Sequence, residues 1–338
     1  MKKNIIFCGT PKFAVASLKS IFQNQQALNY DICGVITIPD RIAGRGQKKQ
    51  ESAVKKEARN MGIKIYEPNN LSNPDFINKI QQLKPDLIIV VAFKKLPKIL
   101  FEIPTLGTVN LHAALLPKYR GSAPINWAII NGEKETGLTT FFINDKIDTG
   151  DIILQSKIEI HSEWHAGDLH NELMKESNQI IKDTIIKIFT KNNIQKKQTE
   201  NTDEKSKHAP KILKKDFILD WSIYREKSLY EIYNFIKGVS PPGVKTSIHI
   251  HKKNNQVNKN NIIITQVGNY QKNNMKALNK YREISIETNN NEIKIYKSSE
   301  SFCIKRLKTE NGKEISAKEF INGFLKNNNL KFISLFMI

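Results

Sequence analysis

The chain has 338 residues, too long for one ordinary hydrophobic core, so two domains are the expectation. Fifty-three Lys and Arg against 33 Asp and Glu leave a formal charge of +20. An excess of that size suits a polyanionic partner such as nucleic acid, but Lys, Asn and Ile are enriched throughout, so only local clusters of charge carry weight. Cys8, Cys33 and Cys303 have no close spacing, which argues against a disulfide framework or a zinc site and for a reducing, cytosolic compartment. No signal or transit pattern precedes the first strand, and no apolar run is long enough to cross a bilayer.

In chain order, Ile5 to Cys8 reads as a buried strand that stops at Gly9-Thr10-Pro11. Phe13, Val15, Ala16, Leu18 and Ile21 then recur at helical spacing. The turn between them lacks the second and third glycines of a dinucleotide fingerprint, so an NAD site is not expected. Asp31 to Ile38 gives a second strand and is followed by the glycine-hinged basic run Arg41-Ile42-Ala43-Gly44-Arg45-Gly46-Gln47-Lys48-Lys49. From its residues alone this run is equally a nucleic-acid contact or a solvated turn.

A helix over Ala53 to Met61, a short strand at Ile63 to Tyr66, a helix over Asp75 to Leu83 and a strong strand at Asp86 to Ala92 follow. Strands at Gly107 to His112, Leu138 to Ile143 and Ile152 to Ile158 and a long helix from about Gly167 to Thr190 complete an α/β domain. Its sheet is expected to be doubly wound and mostly parallel. Residues 191–208 read as a basic linker. The remainder, 209–338, holds a helix around Leu229 to Ile236 ended by Pro241-Pro242-Gly243, then β segments at 244–250, 261–267, 282–287, 292–296 and 301–307. Short strands with polar turns point to a small OB-like barrel.

The chemistry concentrates in Asn110-Leu111-His112 and Asp148-Thr149-Gly150. Side chains alternate along a strand, so Asn110 and His112 project on one side. Asp148 follows another strand, at the edge where open α/β sheets place their sites. An amide that can donate to an oxyanion, an imidazole that can move a proton and a carboxylate that can orient the imidazole and favour its charged form together suit acyl transfer to an amine. Singly, His112 reads as a satisfied core histidine and Asp148 as a turn former; jointly they favour catalysis. His161, His165 and His170, and the pair His249 and His251, lack a third ligand at metal spacing, so no metal is assigned.

With these motifs in place, the chain resembles the methionyl-tRNA formyltransferase family over nearly its whole length. The resemblance rests on Ile6 to Ala14, Pro39 to Gly46, Val109 to Pro124, Gly137 to Gly150, His208 to Ile212 and Asp220-Trp221, with a familiar tail from Asn311 to Ile321. It implies a Rossmann-like first domain over 1–190 and an OB-like tRNA-binding domain over 209–338. Asn110, His112 and Asp148 take the catalytic positions, and Ala114, Leu115, Leu116 and Pro117 form the folate-binding turn. Arg41, Arg45, Lys48 and Lys49 belong to a loop at the tRNA acceptor stem. The implied formyl donor is 10-formyltetrahydrofolate and the acceptor is initiator methionyl-tRNA; the protein is read as a cytoplasmic monomer that formylates this tRNA for initiation of translation.

Ala114 stands where the family has serine, Phe93-Lys94-Lys95 where it has an aromatic residue and glycine at the folate pocket wall, and Asn144 and Lys146 where it has aspartate and glycine. The alternatives are a sugar-nucleotide or glycinamide-ribonucleotide formyltransferase, which needs no basic loop, and a catalytically silent RNA-binding protein.

Overall fold

A computed structural model describes residues 2–43, 48–190, 196–198, 208–253, 256–272, 284–288, 291–309, 312–325 and 330–335. The chain forms two compact units. One comprises Met1–Pro124, Glu135–Glu159 and His170–Ala209, and the other Ile125–Lys134, Ile160–Leu169 and Pro210–Ile338.

The first part of the chain carries β1 (Lys3–Gly9), α1 (Lys12–Gln23), β2 (Tyr30–Ile36), the short strands β3 (Arg41–Ala43) and β4 (Lys48–Gln50), α2 (Ala53–Asn60) and β5 (Ile65–Tyr66). It continues through α3 (Pro74–Gln82), β6 (Leu87–Val91), α4 (Lys98–Phe101), β7 (Thr108–His112), β8 (Arg120–Gly121) and α5 (Pro124–Ile130). β9 (Glu135–Phe142), β10 (Ile152–Glu159), α6 (Ala166–Phe189) and β11 (His208–Ala209) follow. Local chemistry sets several boundaries: Ser52 and Asn73 cap α2 and α3 by accepting the N–H groups of Lys55 and Phe76, and Pro74 occupies the first turn of α3.

Seven strands of the first unit lie in the order β10-β9-β7-β6-β1-β2-β5. β5, β2, β1, β6 and β7 are mutually parallel, as the alternation of strands and helices in the sequence requires. β6 is buried along its whole length, the pattern of a central strand covered on both faces. Each fully buried aliphatic side chain there contributes roughly 1.5–3 kcal/mol.

The departure from a simple parallel reading is at β9, which runs antiparallel to β7 with Phe142 opposite Val109 and Thr139 opposite His112. Asp148 therefore does not sit at a parallel strand's carboxyl end. The loop after β9 carries it back along β7 from the Val109 level to His112, as the site geometry below shows.

The second unit has α7 (Leu229–Gly238), β12 (Val244–Lys252), β13 (Val257–Lys272), β14 (Ser285–Thr288), β15 (Ile293–Lys297), β16 (Glu300–Thr309), β17 (Glu314–Ser316) and β18 (Leu330–Leu335). Ser228 and Glu231 form a reciprocal capping box that starts α7. The strands are antiparallel in the order β14-β15-β16-β13-β12-β18, with β17 added to β16. The terminal strands β14 and β18 approach each other, so the sheet is a nearly closed barrel. Trp221, Phe302, Phe320 and the β-branched residues of β12, β13 and β15 fill its core.

A lysine is buried inside that unit. Lys237, 4% exposed, donates to the Ser162 carbonyl and sits 4.8 Å from the Tyr233 ring centre. The Tyr233 hydroxyl donates to Glu163 Oε1 at 3.1 Å. Burial pulls the lysine down to about 8, against the opposing charges of Glu163 and Asp168.

Candidate active site

β7 positions the first two groups. Asn110 and His112 stand two residues apart on one strand and so share its face. Asn110 is half-buried, and His112 is 6% exposed. The imidazole is bonded on one side: Nε2 lies 2.8 Å from the Tyr119 carbonyl oxygen, so it carries the proton that this carbonyl accepts. That leaves Nδ1 directed at Asp148, whose Oδ2 is 3.8 Å away. The separation is an ion-pair distance and too long for a direct hydrogen bond.

Asp148 is held from both ends. Its Oδ2 accepts the Gly121 N–H at 2.9 Å, and its backbone lies in the left-handed region with φ 53°. That conformation costs a non-glycine residue about 1–2 kcal/mol. Within the same loop the Asn144 Oδ1 accepts the Lys146 N–H at 3.0 Å and the Thr149 hydroxyl at 2.9 Å. An acceptor oxygen at position 144 is what that turn uses. Gly150 closes the loop so tightly that a Cβ there would lie 1.6 Å from the Phe142 carbonyl oxygen.

A second set of bonds shapes the turn after β7. The Thr139 hydroxyl donates to the Ala114 carbonyl at 2.6 Å and accepts the Leu116 N–H at 3.1 Å. Gln155 Nε2 donates to the Leu116 carbonyl at 2.9 Å. Ala114 and Leu116 are buried, Leu115 and Pro117 half-buried, and the Leu116-Pro117 peptide is cis. A methyl group at position 114 leaves this backbone pattern intact, because every bond there uses main-chain atoms of the turn.

A cleft of about 510 Å³ opens against the Asp148 loop, lined by Leu71, Leu96, Phe101, Lys94, Lys95 and Asp145 among others. Its rim is fastened to that loop by Lys95, whose Nζ donates to the Asp145 carbonyl at 3.2 Å, and by Lys98, 3.7 Å from the Asp145 carboxylate. None of Ala114 to Pro117 lines this cleft.

The described ends of the basic run pair antiparallel, with Arg41 opposite Gln50 and Ala43 opposite Lys48. Arg41 and Ile42 are exposed, the latter by 70%. Arg45 lies outside the described residues, as do the side chains of Lys48 and Lys49. At the foot of this strand pair Lys55 Nζ meets Asp40 at 2.7 Å and Glu67 at 2.9 Å.

The histidines named in the sequence are otherwise engaged. His165 Nδ1 donates to the Glu163 carbonyl at 3.2 Å, while Nε2 accepts the Val267 N–H at 3.2 Å. Burial, then the charge of Lys237, holds its pKa below the ordinary value, keeping the ring neutral. His170 packs edge-on against Phe13.

Sequence reasoning missed Tyr119, Thr139, Gln155, Arg120 and Gln198. Tyr119 acts through its carbonyl seven residues from His112, and the others through side-chain bonds between segments far apart in the chain; neither leaves a periodic trace.

A carboxamide, an imidazole and a carboxylate gathered beside one strand of an open α/β sheet are the equipment of an acyl-transfer enzyme. The comparisons narrow the class. Residues 1–185 match the formyl transferase family and 211–325 the formyl transferase C-terminal domain. The methionyl-tRNA formyltransferase of Flavobacterium johnsoniae is 50% identical over 240 residues, 71% of this chain and 73% of the relative. That of Azobacteroides pseudotrichonymphae is 44% identical over 257 residues, 73% of this chain and 75% of the relative.

Among solved structures, an N-formyltransferase from Helicobacter canadensis in complex with folinic acid and dTDP-3-aminofucose superposes with a TM-score of 0.63. It is 20% identical and covers 90% of this chain and 99% of that one. A sugar 3N-formyl transferase gives a TM-score of 0.60 at 22% identity over 93% of this chain and 100% of that one. These two likenesses are of fold. The chain belongs to the methionyl-tRNA formyltransferase family.

Proposed function

We propose that this protein transfers the formyl group of 10-formyltetrahydrofolate to the α-amine of methionyl initiator tRNA, supplying the cytoplasm with the charged tRNA that starts translation. The observation that carries the reading is the His112 Nδ1 to Asp148 Oδ2 approach of 3.8 Å beside Asn110, with Nε2 already committed to Tyr119.

An α-amine with a pKa near ~7.7–8.0 is partly neutral at cytosolic pH, so strong base catalysis is not needed for attack. As the nitrogen adds to the formyl carbon, the oxyanion of the tetrahedral intermediate takes a hydrogen bond from the Asn110 amide. His112 Nδ1 accepts the proton that leaves the attacking nitrogen and returns it to the departing folate nitrogen. Asp148 lies beside the imidazolium that forms between these steps. One C–N bond forms, one breaks, and the proton passes from amine to tetrahydrofolate.

The cleft of about 510 Å³ fits the donor by its chemistry. Leu71, Leu96 and Phe101 offer an apolar floor, and Lys94 and Lys95 meet the carboxylates of a glutamyl tail. The turn from Ala114 to Pro117, including Leu115 and Leu116, does not line that cleft, and its assignment to the donor follows the family resemblance. Arg41 and Arg45, with Lys48 and Lys49, contact the acceptor end of the tRNA, where guanidinium groups bind phosphate bidentately and glycines permit close approach.

Purified protein supplied with 10-formyltetrahydrofolate should formylate methionyl initiator tRNA and leave amino-sugar nucleotides and glycinamide ribonucleotide untouched. Efficient transfer to either small amine, with none to tRNA, refutes the reading.

A further inference from the structure

Gln198 lies between the two halves of the chain, in a stretch of Lys, Asn, Gln and Thr that carries no chemical motif, yet its amide is fully occupied at the candidate site. Nε2 donates to the Gly150 carbonyl at 2.7 Å and to the Asp148 carbonyl at 3.1 Å. Oε1 accepts from Arg120 Nη2 at 2.6 Å and Nε at 3.2 Å. A carboxamide has two donor hydrogens and two acceptor lone pairs, and here all four are used.

The segment is anchored on each side. The backbone of Lys196 exchanges two hydrogen bonds of 2.9 Å with Ile152. Downstream, His208 and Ala209 pair in parallel with Arg120 and Gly121, and the Ala209 carbonyl accepts the Ser122 and Ala123 N–H groups. Gly121 is also the residue whose N–H binds the Asp148 carboxylate. Gln198 thus links the Asp148 and Gly150 carbonyls to the guanidinium of Arg120, the residue next to the Gly121 whose N–H holds the Asp148 carboxylate.

We infer that Gln198 is a positioning residue for the formyl transfer, holding the strained Asp148 turn at its working distance from His112. The inference rests on the function proposed above. No other side chain satisfies the arrangement. Glutamate lacks the two donors and would set a carboxylate against two carbonyl oxygens, asparagine is one methylene shorter, and leucine fills the space without bonding either side.

The consequence is a specific kinetic pattern. Gln198→Ala should lower kcat roughly 10- to 100-fold, the range in which small misplacements of a reacting group act. The KM values for methionyl-tRNA and donor should stay within about twofold of wild type and the melting temperature should be unchanged, because the Gln198 amide is fully used by Asp148, Gly150 and Arg120. Gln198→Glu should lose as much. On an Asp148→Asn background Gln198→Ala should change kcat by less than about twofold, since its effect passes through that carboxylate.

Unchanged kcat in Gln198→Ala, or losses that multiply in full on the Asp148→Asn background, overturns the assignment; so does a kcat loss matched by a falling melting temperature. If the wild-type protein formylates nothing, the functional reading fails separately. The positioning role is then decided by a crystal structure of Gln198→Ala. An Asp148 to His112 separation that opens well beyond 3.8 Å supports it, and an unmoved loop refutes it.

Discussion

Replacing Lys237 by methionine tests how the second unit tolerates a charge in its interior. The lysine is 4% exposed and is pulled down to about 8 from the ordinary 10.5, chiefly by burial. In the unfolded chain it titrates near 10.4, so between about pH 8 and 10.5 the unfolded state holds the proton that the folded state has released. Stability from this group therefore rises with pH across that window. It is flat below about 8, where both states are charged.

The full difference, at about 1.4 kcal/mol per tenfold change in proton affinity, is a little over 3 kcal/mol, most of which appears by pH 10. The lost hydrogen bond to Ser162 and the lost contact with the Tyr233 ring add an offset that does not change with pH, provided Glu163, Asp168 and His165 keep their states over the same range. Urea denaturation of wild type and Lys237→Met at half-unit steps from pH 6.5 to 10 isolates the titrating part as the difference between the two curves. That difference should stay level to about pH 8 and then climb in favour of wild type. A flat difference over the whole range refutes the burial argument.

Asn110→Ala should lower kcat by roughly 10²–10³ through loss of an oxyanion donor, measured in steady-state formylation with both KM values followed. Gly150→Ala forces a methyl into the Phe142 carbonyl and should cost about 1–3 kcal/mol, read as a lowered denaturation midpoint together with at least tenfold slower turnover. Arg41→Ala should weaken tRNA binding across sequences and reduce the slope of log affinity against log salt by about 1, with donor affinity unaltered in a titration without tRNA.

Much of the architecture was legible from periodicity. β1, β6 and β7 announce themselves as short apolar runs between turn residues, and α3 and α7 carry their own start signals at Asn73-Pro74 and Ser228 to Glu231. What periodicity does not encode is strand direction: Leu138 to Ile143 reads as a strand, but nothing local tells that β9 runs against β7. The short helices Lys98–Phe101 and Pro124–Ile130 were too brief to show a repeat.

The same division holds at the candidate site. Asn110, His112 and Asp148 were visible because their side chains carry chemistry and two of them fall on one face of a single strand. Gln198, Arg120 and Thr139 were not, because a residue that acts by bonding a segment distant in the chain looks in sequence like any other polar residue. Asn144 illustrates the reverse, a departure from the family pattern whose acceptor oxygen does the work its turn requires.

The central claim is that His112, oriented through Nε2 by Tyr119, moves the proton during formyl transfer at Nδ1. Single-turnover formylation of methionyl-tRNA by His112→Ala, with donor affinity measured in parallel, tests it most directly. The account predicts a rate roughly 10²–10⁴-fold below wild type at unchanged donor affinity. A single-turnover rate within twofold of wild type contradicts it.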